Sequence, residues 1–142
     1  MSEALMGSYY HSIDAKGRMN FPTKLRDILG ETLYITRGMD DCLSVYSKPA
    51  WDEVMHKMAE LPEARARMFS RFICANACEI IPDKQGRILI PQALRDIAKL
   101  EKDVVVIGVL NKAEIWDKAK WEEQNESFAQ SSMDALMDEL NF

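Results

Sequence analysis

The chain has 142 residues, 47% of them hydrophobic and 29% charged, which is the composition of an ordinary folded domain and excludes bulk disorder. Its formal net charge is −5, but six acids and no base follow Lys120, so residues 1–120 carry 18 bases against 17 acids. The acidity belongs to the C-terminal segment and does not exclude a nucleic-acid partner for the remainder. The longest apolar stretch, residues 104–110, is too short to cross a bilayer, so we expect no membrane partner and a cytoplasmic location.

An internal repeat dominates the sequence. Residues 14–27 return 69 positions later as residues 83–96, with seven identities in fourteen aligned positions. The similarity continues to Trp51 and Trp121, so each copy spans about 45 residues, close to the lower limit for an independent core. Because no Gly/Ser-rich or Pro-rich linker separates the copies, we expect one compact pseudo-symmetric body.

Each copy begins with the pattern of a tight β-hairpin followed by a short helix. Residues 9–13 form a candidate strand, and residues 18–21 can return as its partner. In the turn between them, Asp14 accepts backbone N–H groups and Gly17 supplies a positive φ. Asp83 and Gly86 repeat this turn in copy two. A proline follows each hairpin and suits the start of a short helix.

A second hairpin follows in each copy, and helices follow the hairpins. The sequence predicts strands at 33–37 and 42–46 in copy one, and at 104–109 and 114–116 in copy two. Apolar residues at helical spacing predict an amphipathic helix over 49–61 that faces the core. Pro62 ends it, and a helix begins at Glu63 that carries three arginines, either as a solvated face or as a contact with nucleic acid or a subunit.

The repeats also carry the candidate functional residues, all basic. The candidate contacts with nucleic acid are Lys16, Arg18, Lys24 and Arg26 in copy one and Arg95 in copy two. The arginine fork suits phosphate pairs or the O6/N7 edge of guanine, and two-stranded ribbons fit the major groove. We expect four copy-one cations to project from one edge of the body, with the two lysines on phosphates. A structural alternative is that Arg18 pairs with Asp14 across the turn, and both roles can coexist. For Arg26 and Arg95, pairing with the following aspartate and DNA contact are equally open.

Catalytic and metal-binding chemistry is not indicated. The three cysteines, Cys42, Cys74 and Cys78, lack Cys-x-x-Cys spacing, and only two histidines could assist them, so we expect reduced structural thiols, no metal and no cofactor. The sequence offers no phosphate loop and no carboxylate pair at an interpretable spacing. We therefore expect neither an enzyme nor a small-molecule substrate.

Several segments together resemble the MraZ family of the SpoVT-AbrB superfamily. The resemblance rests on residues 7–18, on the second Asp-x-x-x-Arg motif at 83–87, on 69–72 between them, and on 100–108. It covers nearly the whole chain. The resemblance implies that Arg87 is a DNA contact in copy two. Gln85 departs from the pattern because it replaces the lysine present at position 16, and Lys84 beside it is the candidate DNA contact in its place.

The resemblance implies both a fold and a function. The fold is α+β, with two tandem hairpin/short-helix repeats that form a swapped-hairpin, AbrB-like β-barrel. We divide the chain into repeat 1 (8–50), an amphipathic helical connector (51–76), repeat 2 (77–120) and an acidic C-terminal helix (121–142). The implied function is a transcriptional regulator that binds double-stranded DNA at direct repeats upstream of the division and cell-wall genes.

Two further expectations concern partners. Relatives of this kind assemble as homo-oligomers in closed rings, which on DNA would be associated with the nucleoid. The alternative function is an antitoxin-like protein-binding module, since some members of the superfamily hold a toxin through an acidic tail. The C-terminal segment, whose Met133, Leu136, Met137 and Leu140 lie at helical spacing, would bind such a partner or pack on a ring neighbour.

Overall fold

The computed structural model describes residues 3–142 as an α+β protein with antiparallel strands. The first half consists of β1 (Ser8–Ser12), β2 (Arg18–Asn20), α1 (Thr23–Leu29), β3 (Leu33–Arg37), β4 (Leu43–Tyr46), α2 (Lys48–Ala59) and α3 (Glu63–Cys74). The second half consists of β5 (Cys78–Ile80), β6 (Arg87–Leu89), α4 (Gln92–Ile97), β7 (Asp103–Gly108), β8 (Ala113–Asp117), α5 (Lys118–Glu126) and α6 (Gln130–Glu139). The order of elements therefore repeats along the chain, as predicted.

The two repeats exchange strands. A six-stranded sheet has the order β1-β7-β8-β4-β3-β5, and β2 and β6 form a separate two-stranded sheet. The first strand of each repeat pairs with the third strand of the other, as β1 with β7 and β5 with β3. The β4–β8 and β2–β6 pairs also join different repeats. Among the strand pairs of residues 3–142, only the second hairpins, β3–β4 and β7–β8, stay within a repeat.

The prediction that each repeat begins with a tight β-hairpin is wrong. The turn itself forms, because the Asp14 N–H donates to the Arg18 carbonyl at 2.9 Å, but β1 then pairs with β7 and β2 with β6. Cross-repeat pairing places Met19 opposite Ile88, and both side chains are almost fully buried in the shared core. The gain from burying apolar surface favours this partner over the local one. Within residues 3–142 the six-stranded sheet stays open, with β1 and β5 at its edges.

One main core lies between the inner face of the large sheet, the β2–β6 pair and the two short helices. Its fully buried side chains include Ile35 and Val106 from the sheet, Met19 and Ile88 from the pair, and leucines from α1 and α4. Both repeats contribute equally to it. The repeats therefore fold as one unit, as their short length predicted.

Helices α2, α3 and α5 cover the outer face of the large sheet rather than the main core. In α2, Trp51 stacks on Tyr34 with ring centroids 5.8 Å apart, and in α5, Trp121 packs on Trp116 at 5.5 Å. The amphipathic helix is present, but its Met-rich stripe is mostly half-buried and faces this outer surface; only Met58 is buried. The prediction that α2 faces the core is therefore corrected to a second, smaller layer.

The C-terminal segment forms two helices where the sequence predicted one. Helix α5 begins at Lys118, and its last turn is closed by the Ser127 N–H on the Glu123 carbonyl at 3.1 Å. The Ser127 hydroxyl also donates to the Gln124 carbonyl at 2.6 Å, a local hydrogen bond of the kind that competes with helix continuation. Helix α6 starts anew at Gln130. Among residues 3–142, no helix has the length and apolarity needed to span a membrane.

Candidate nucleic-acid interface

The copy-one turn is organised by the Asp14 carboxylate. Its Oδ1 accepts the backbone N–H groups of Lys16 and Arg18, each at 2.9 Å, and its Oδ2 accepts the Arg18 Nε–H at 3.0 Å. The backbone N–H of Arg18 makes the largest contribution to lowering the pKa of Asp14 below its usual value. Gly17 completes the turn at φ +89°, a conformation that L side chains rarely adopt.

The copy-two turn has the same geometry. Asp83 Oδ1 accepts the N–H groups of Gln85 and Arg87 at 2.9 Å, and its Oδ2 accepts the Arg87 Nε–H at 3.0 Å. The Arg87 N–H is the main cause that lowers the pKa of Asp83. Gly86 has φ +80°. The turn-structuring prediction for the aspartates and glycines therefore describes the geometry of both copies.

The ion pair considered as a structural alternative for Arg18 is present, and Arg87 makes the same pair. Each bond uses Nε, so the two terminal Nη groups of the fork can still donate outward. The side chains of Arg18 and Arg87 are 39% and 37% exposed, so their heads reach solvent. A brace on one side of the guanidinium limits its rotamers, which reduces the entropy lost when the other side binds a ligand.

The two turns are joined by the β2–β6 ribbon. In its register Arg18 lies opposite Leu89, Met19 opposite Ile88, and Asn20 opposite Arg87. The ribbon extends into both turns, because the Phe21 N–H donates to the Gly86 carbonyl at 3.0 Å and the Ile90 N–H to the Gly17 carbonyl at 2.9 Å. Met19 and Ile88 face the core, so the alternating residues of the two strands form an outer face of the ribbon.

Two predicted arginines cross between repeats. A Cβ built on Gly17 would lie 2.7 Å from Arg95 Cζ, so the Arg95 guanidinium packs against the copy-one turn. In the opposite direction, the nearest atom to a Cβ on Gly86 is Arg26 Nη1, at 3.8 Å. Arg26 therefore lies beside the copy-two turn and Arg95 beside the copy-one turn. That the four copy-one cations share one edge stays a prediction.

Arg95 does not form the ion pair with the following Asp96 that was considered as an alternative to DNA contact. Its Nε–H donates to the Ile90 carbonyl at 2.9 Å, while Asp96 accepts from the Gln92 amide at 2.7 Å. Arg95 is half-buried and thereby fixed at the end of the ribbon. The three predicted lysines at positions 16, 24 and 84 are exposed, two in the turns and one on α1.

Two residues of the outer face were not predicted from the sequence. Asn20 is exposed in β2, and Leu89, 55% exposed, is an apolar side chain in solvent at the equivalent position of β6. An amide can make bidentate bonds to adenine, and an apolar side chain can contact a thymine methyl group. The available signal was the alternation of side chains along each strand, from Arg18 to Asn20 and from Arg87 to Leu89. Alternation places these residues on one shared outer face only when β2 is known to pair with β6.

The fold and this surface define a class: an α+β protein of two interleaved repeats that exposes a basic two-stranded ribbon. The family model described as "MraZ protein, putative antitoxin-like" matches the chain twice, over residues 4–72 and 73–140. The transcriptional regulator MraZ of Caldanaerobacter subterraneus is 51% identical over 125 residues, 87% of each chain. That of Acetivibrio thermocellus is 52% identical over 118 residues, 82% of each chain.

A relative of similar length extends the comparison. The transcriptional regulator MraZ of Thermoanaerobacter sp. strain X514 is 48% identical over 141 residues, which are 96% of this chain and 99% of its own. The chain belongs to the MraZ family. The resemblance inferred from the paired Asp-x-x-x-Arg motifs is thereby confirmed.

Proposed function

We propose that this chain is a sequence-specific DNA-binding transcriptional regulator that presents the β2–β6 ribbon to the major groove. The observation that carries the proposal is the outer face of this ribbon, on which two exposed, aspartate-braced arginines stand at diagonal positions. A two-stranded antiparallel ribbon fits the width of the major groove. The regulatory function is that named for the three relatives above, and we extend it to this chain.

The residues divide into two roles under this proposal. Arg18 and Arg87 reach base edges with their terminal N–H groups, and Asn20 and Leu89 add readout beside them. The exposed lysines at both turns and on α1 contact phosphates, which position the ribbon and make binding salt-dependent. Arg26 and Arg95 each lie beside the turn of the other repeat and extend its positive surface.

The ribbon has a direction, which favours direct repeats in the DNA. The pseudo-symmetry of the repeats relates Arg18 to Arg87, but it also relates Asn20 to Leu89 and Lys16 to Gln85. A palindromic half-site would therefore meet different side chains on its two sides. We propose that each subunit reads one copy of a non-palindromic sequence, and that several subunits read successive copies upstream of the division and cell-wall genes.

The remaining proposals concern assembly and organisation. The subunits form a closed ring in the cytoplasm, associated with the nucleoid, and the open sheet and ribbon act together as a swapped-hairpin barrel. The organisation is repeat 1 (8–50), connector (51–76), repeat 2 (77–120) and an acidic tail (121–142). The chain works without a cofactor and is not an enzyme.

A gel shift with the DNA immediately upstream of the chain's own gene tests the proposal. We expect a shift at low salt that persists, as salt rises, longer than the shift of an unrelated duplex of equal length and base composition. Specific contacts survive when the counterion-release contribution is weakened. Absence of a shift at low salt would refute DNA binding. Equal salt sensitivity for both duplexes would refute sequence specificity.

A further inference from the structure

Helix α3 carries an exposed apolar groove. Its lining residues are Leu61, Arg65, Met68, Phe69 and Phe72. Met68 is 71% exposed, and the two phenylalanines are about 40% exposed, which is unusual for three neighbouring large apolar side chains on a folded domain. The helix is fixed from below, because the buried Thr36 hydroxyl donates to the Ile73 carbonyl at 2.6 Å. The C-terminal end of α3 is therefore anchored to the large sheet.

Helix α6 presents a matching apolar stripe. Met133, Leu136, Met137 and Leu140 lie at i, i+3, i+4 and i+7, and each is between 40% and 55% exposed. Every described residue of α6 is exposed, so the helix packs on no part of its own chain. An amphipathic helix with anchors at this spacing is the ligand that a helix-in-groove site accepts.

The two surfaces have opposite charge. Helix α3 carries Arg65, Arg67 and Arg71, while α6 carries Asp134, Asp138 and Glu139. At the edge of the groove, Arg37 stacks over Phe72 at 4.1 Å, and its buried Nε has no hydrogen-bond partner among residues 3–142. Charge complementarity of this kind selects a partner and its orientation.

We propose that α6 of one copy of this chain docks in the α3 groove of the next copy. Within one chain the two helices are held on different strands, α3 on β3 and α5 with its α6 extension on β7 and β8. The groove and the helix are different surfaces, so copies joined head-to-tail extend beyond a dimer or close into a ring, whereas two copies that exchanged helices reciprocally would stop at a dimer. The head-to-tail form is the one that we propose. The proposal goes beyond DNA binding and assigns surfaces to the ring.

The same contact bears on the acidic tail. The α3 groove lies on the outer layer of the large sheet, and the β2–β6 ribbon packs on the inner side of that sheet. A docked α6 therefore has its carboxylates neutralised by arginines on the side away from the ribbon. Repulsion between the tail and DNA is reduced in the assembled form.

Three full-length variants with the same added charge test the proposal. Phe69→Glu disables the groove, Met137→Glu disables the helix, and Met39→Glu is the control, since Met39 is 76% exposed and lies outside both surfaces. Light scattering after size exclusion should give the mass of several copies for the unsubstituted chain and the control. Each of the other two variants alone should fall to the mass of one chain, 16.3 kDa.

The decisive experiment mixes the two assembly-deficient variants. The Phe69→Glu chain keeps its helix and the Met137→Glu chain keeps its groove, so equal amounts should form a one-to-one complex that cannot extend. If both variants kept the mass of the unsubstituted protein, the proposal would be overturned. The subunits would then assemble through surfaces other than α6 and the α3 groove. Loss of assembly without a complex on mixing, or a single-chain mass for the unsubstituted protein, would also overturn it. A mass of two copies would overturn the head-to-tail arrangement. The gel shift tests DNA binding separately.

Discussion

Substitution of the two turn glycines by alanine should have unequal effects, although both glycines occupy equivalent positions. Gly17 and Gly86 have φ +89° and +80°, so each alanine meets a left-handed backbone that costs about 1 to 2 kcal/mol, partly offset by lower entropy of the unfolded chain. At Gly86 the added methyl group meets only Arg26 Nη1 at 3.8 Å, an ordinary contact. Gly86→Ala should therefore carry the backbone cost alone.

Gly17→Ala should carry a second cost. Its Cβ would lie 2.7 Å from Arg95 Cζ, so the flexible arginine must move away, and its 2.9 Å hydrogen bond to the Ile90 carbonyl breaks. Loss of a hydrogen bond from a charged, half-buried donor is worth roughly 1 to 3 kcal/mol. We expect Gly17→Ala to lower the free energy of unfolding by about that much more than Gly86→Ala.

Urea denaturation followed by tryptophan fluorescence, at one fixed protein concentration, measures this difference. The control is the same pair of substitutions in an Arg95→Ala background, where the two glycines should become equivalent because the clash and the hydrogen bond are both gone. Equal destabilisation in the natural background would refute the contact between Arg95 and the copy-one turn. A difference that persists without Arg95 would assign it to another cause.

Three further predictions concern reactivity, acid stability and DNA phasing. Burial raises the pKa of Cys42 to about 12, so at neutral pH a maleimide should label exposed Cys74 first and Cys42 only after unfolding; rapid labelling of Cys42 in the folded protein would contradict its burial. The pKa values of Asp14 and Asp83 are lowered in the folded state, so their stabilisation is present above the ordinary aspartate pKa and is lost as pH falls through the folded values, below about pH 4. A variant with both Asp14→Asn and Asp83→Asn should be less stable at neutral pH, and its free energy of unfolding should fall less as the pH is lowered. If urea denaturation gave the same loss of stability at acid pH as for the unsubstituted chain, the two carboxylates would not stabilise the turns in this way. In gel shifts, moving one DNA repeat by half a helical turn, about 5 base pairs, should cost nearly as much affinity as deleting it, because subunits of one assembly must face the same groove; equal affinity would mean independent binding.

Local structure was predictable where local interactions determine it. Strand β3 has the predicted bounds, Leu33–Arg37, because its β-branched and aromatic residues favour a buried strand. Helix α3 begins at Glu63 as expected, since Pro62 cannot continue a preceding helix. The Asp14 turn was also predictable, because its carboxylate acts on N–H groups within four residues.

Strand partners were not predictable from local pattern. Alternation shows that Met19 faces inward, but it does not show whether β2 pairs with β1 or with β6, and the outcome depends on burial of Met19 and Ile88 in one core. The cross-repeat positions of Arg26 and Arg95 follow from the same exchange, and a local pattern gives no signal for them. The resemblance to a strand-swapped superfamily pointed towards this arrangement, whereas hairpin patterns did not.

The central claim is that Arg18 and Arg87 on the ribbon read DNA bases. Fluorescence anisotropy on the upstream DNA and on an unrelated duplex, for Arg18→Ala, Arg87→Ala and Lys57→Ala, tests it most directly; Lys57 is an exposed cation on α2, outside the ribbon. Loss of a bidentate base contact costs roughly 1 to 3 kcal/mol, so each arginine variant should bind the upstream DNA about 5- to 150-fold more weakly, with a much smaller loss on the unrelated duplex. Lys57→Ala should bind both duplexes as the unsubstituted chain does. Equal losses on both duplexes, or a loss for Lys57→Ala as large as for the arginines, would contradict the claim.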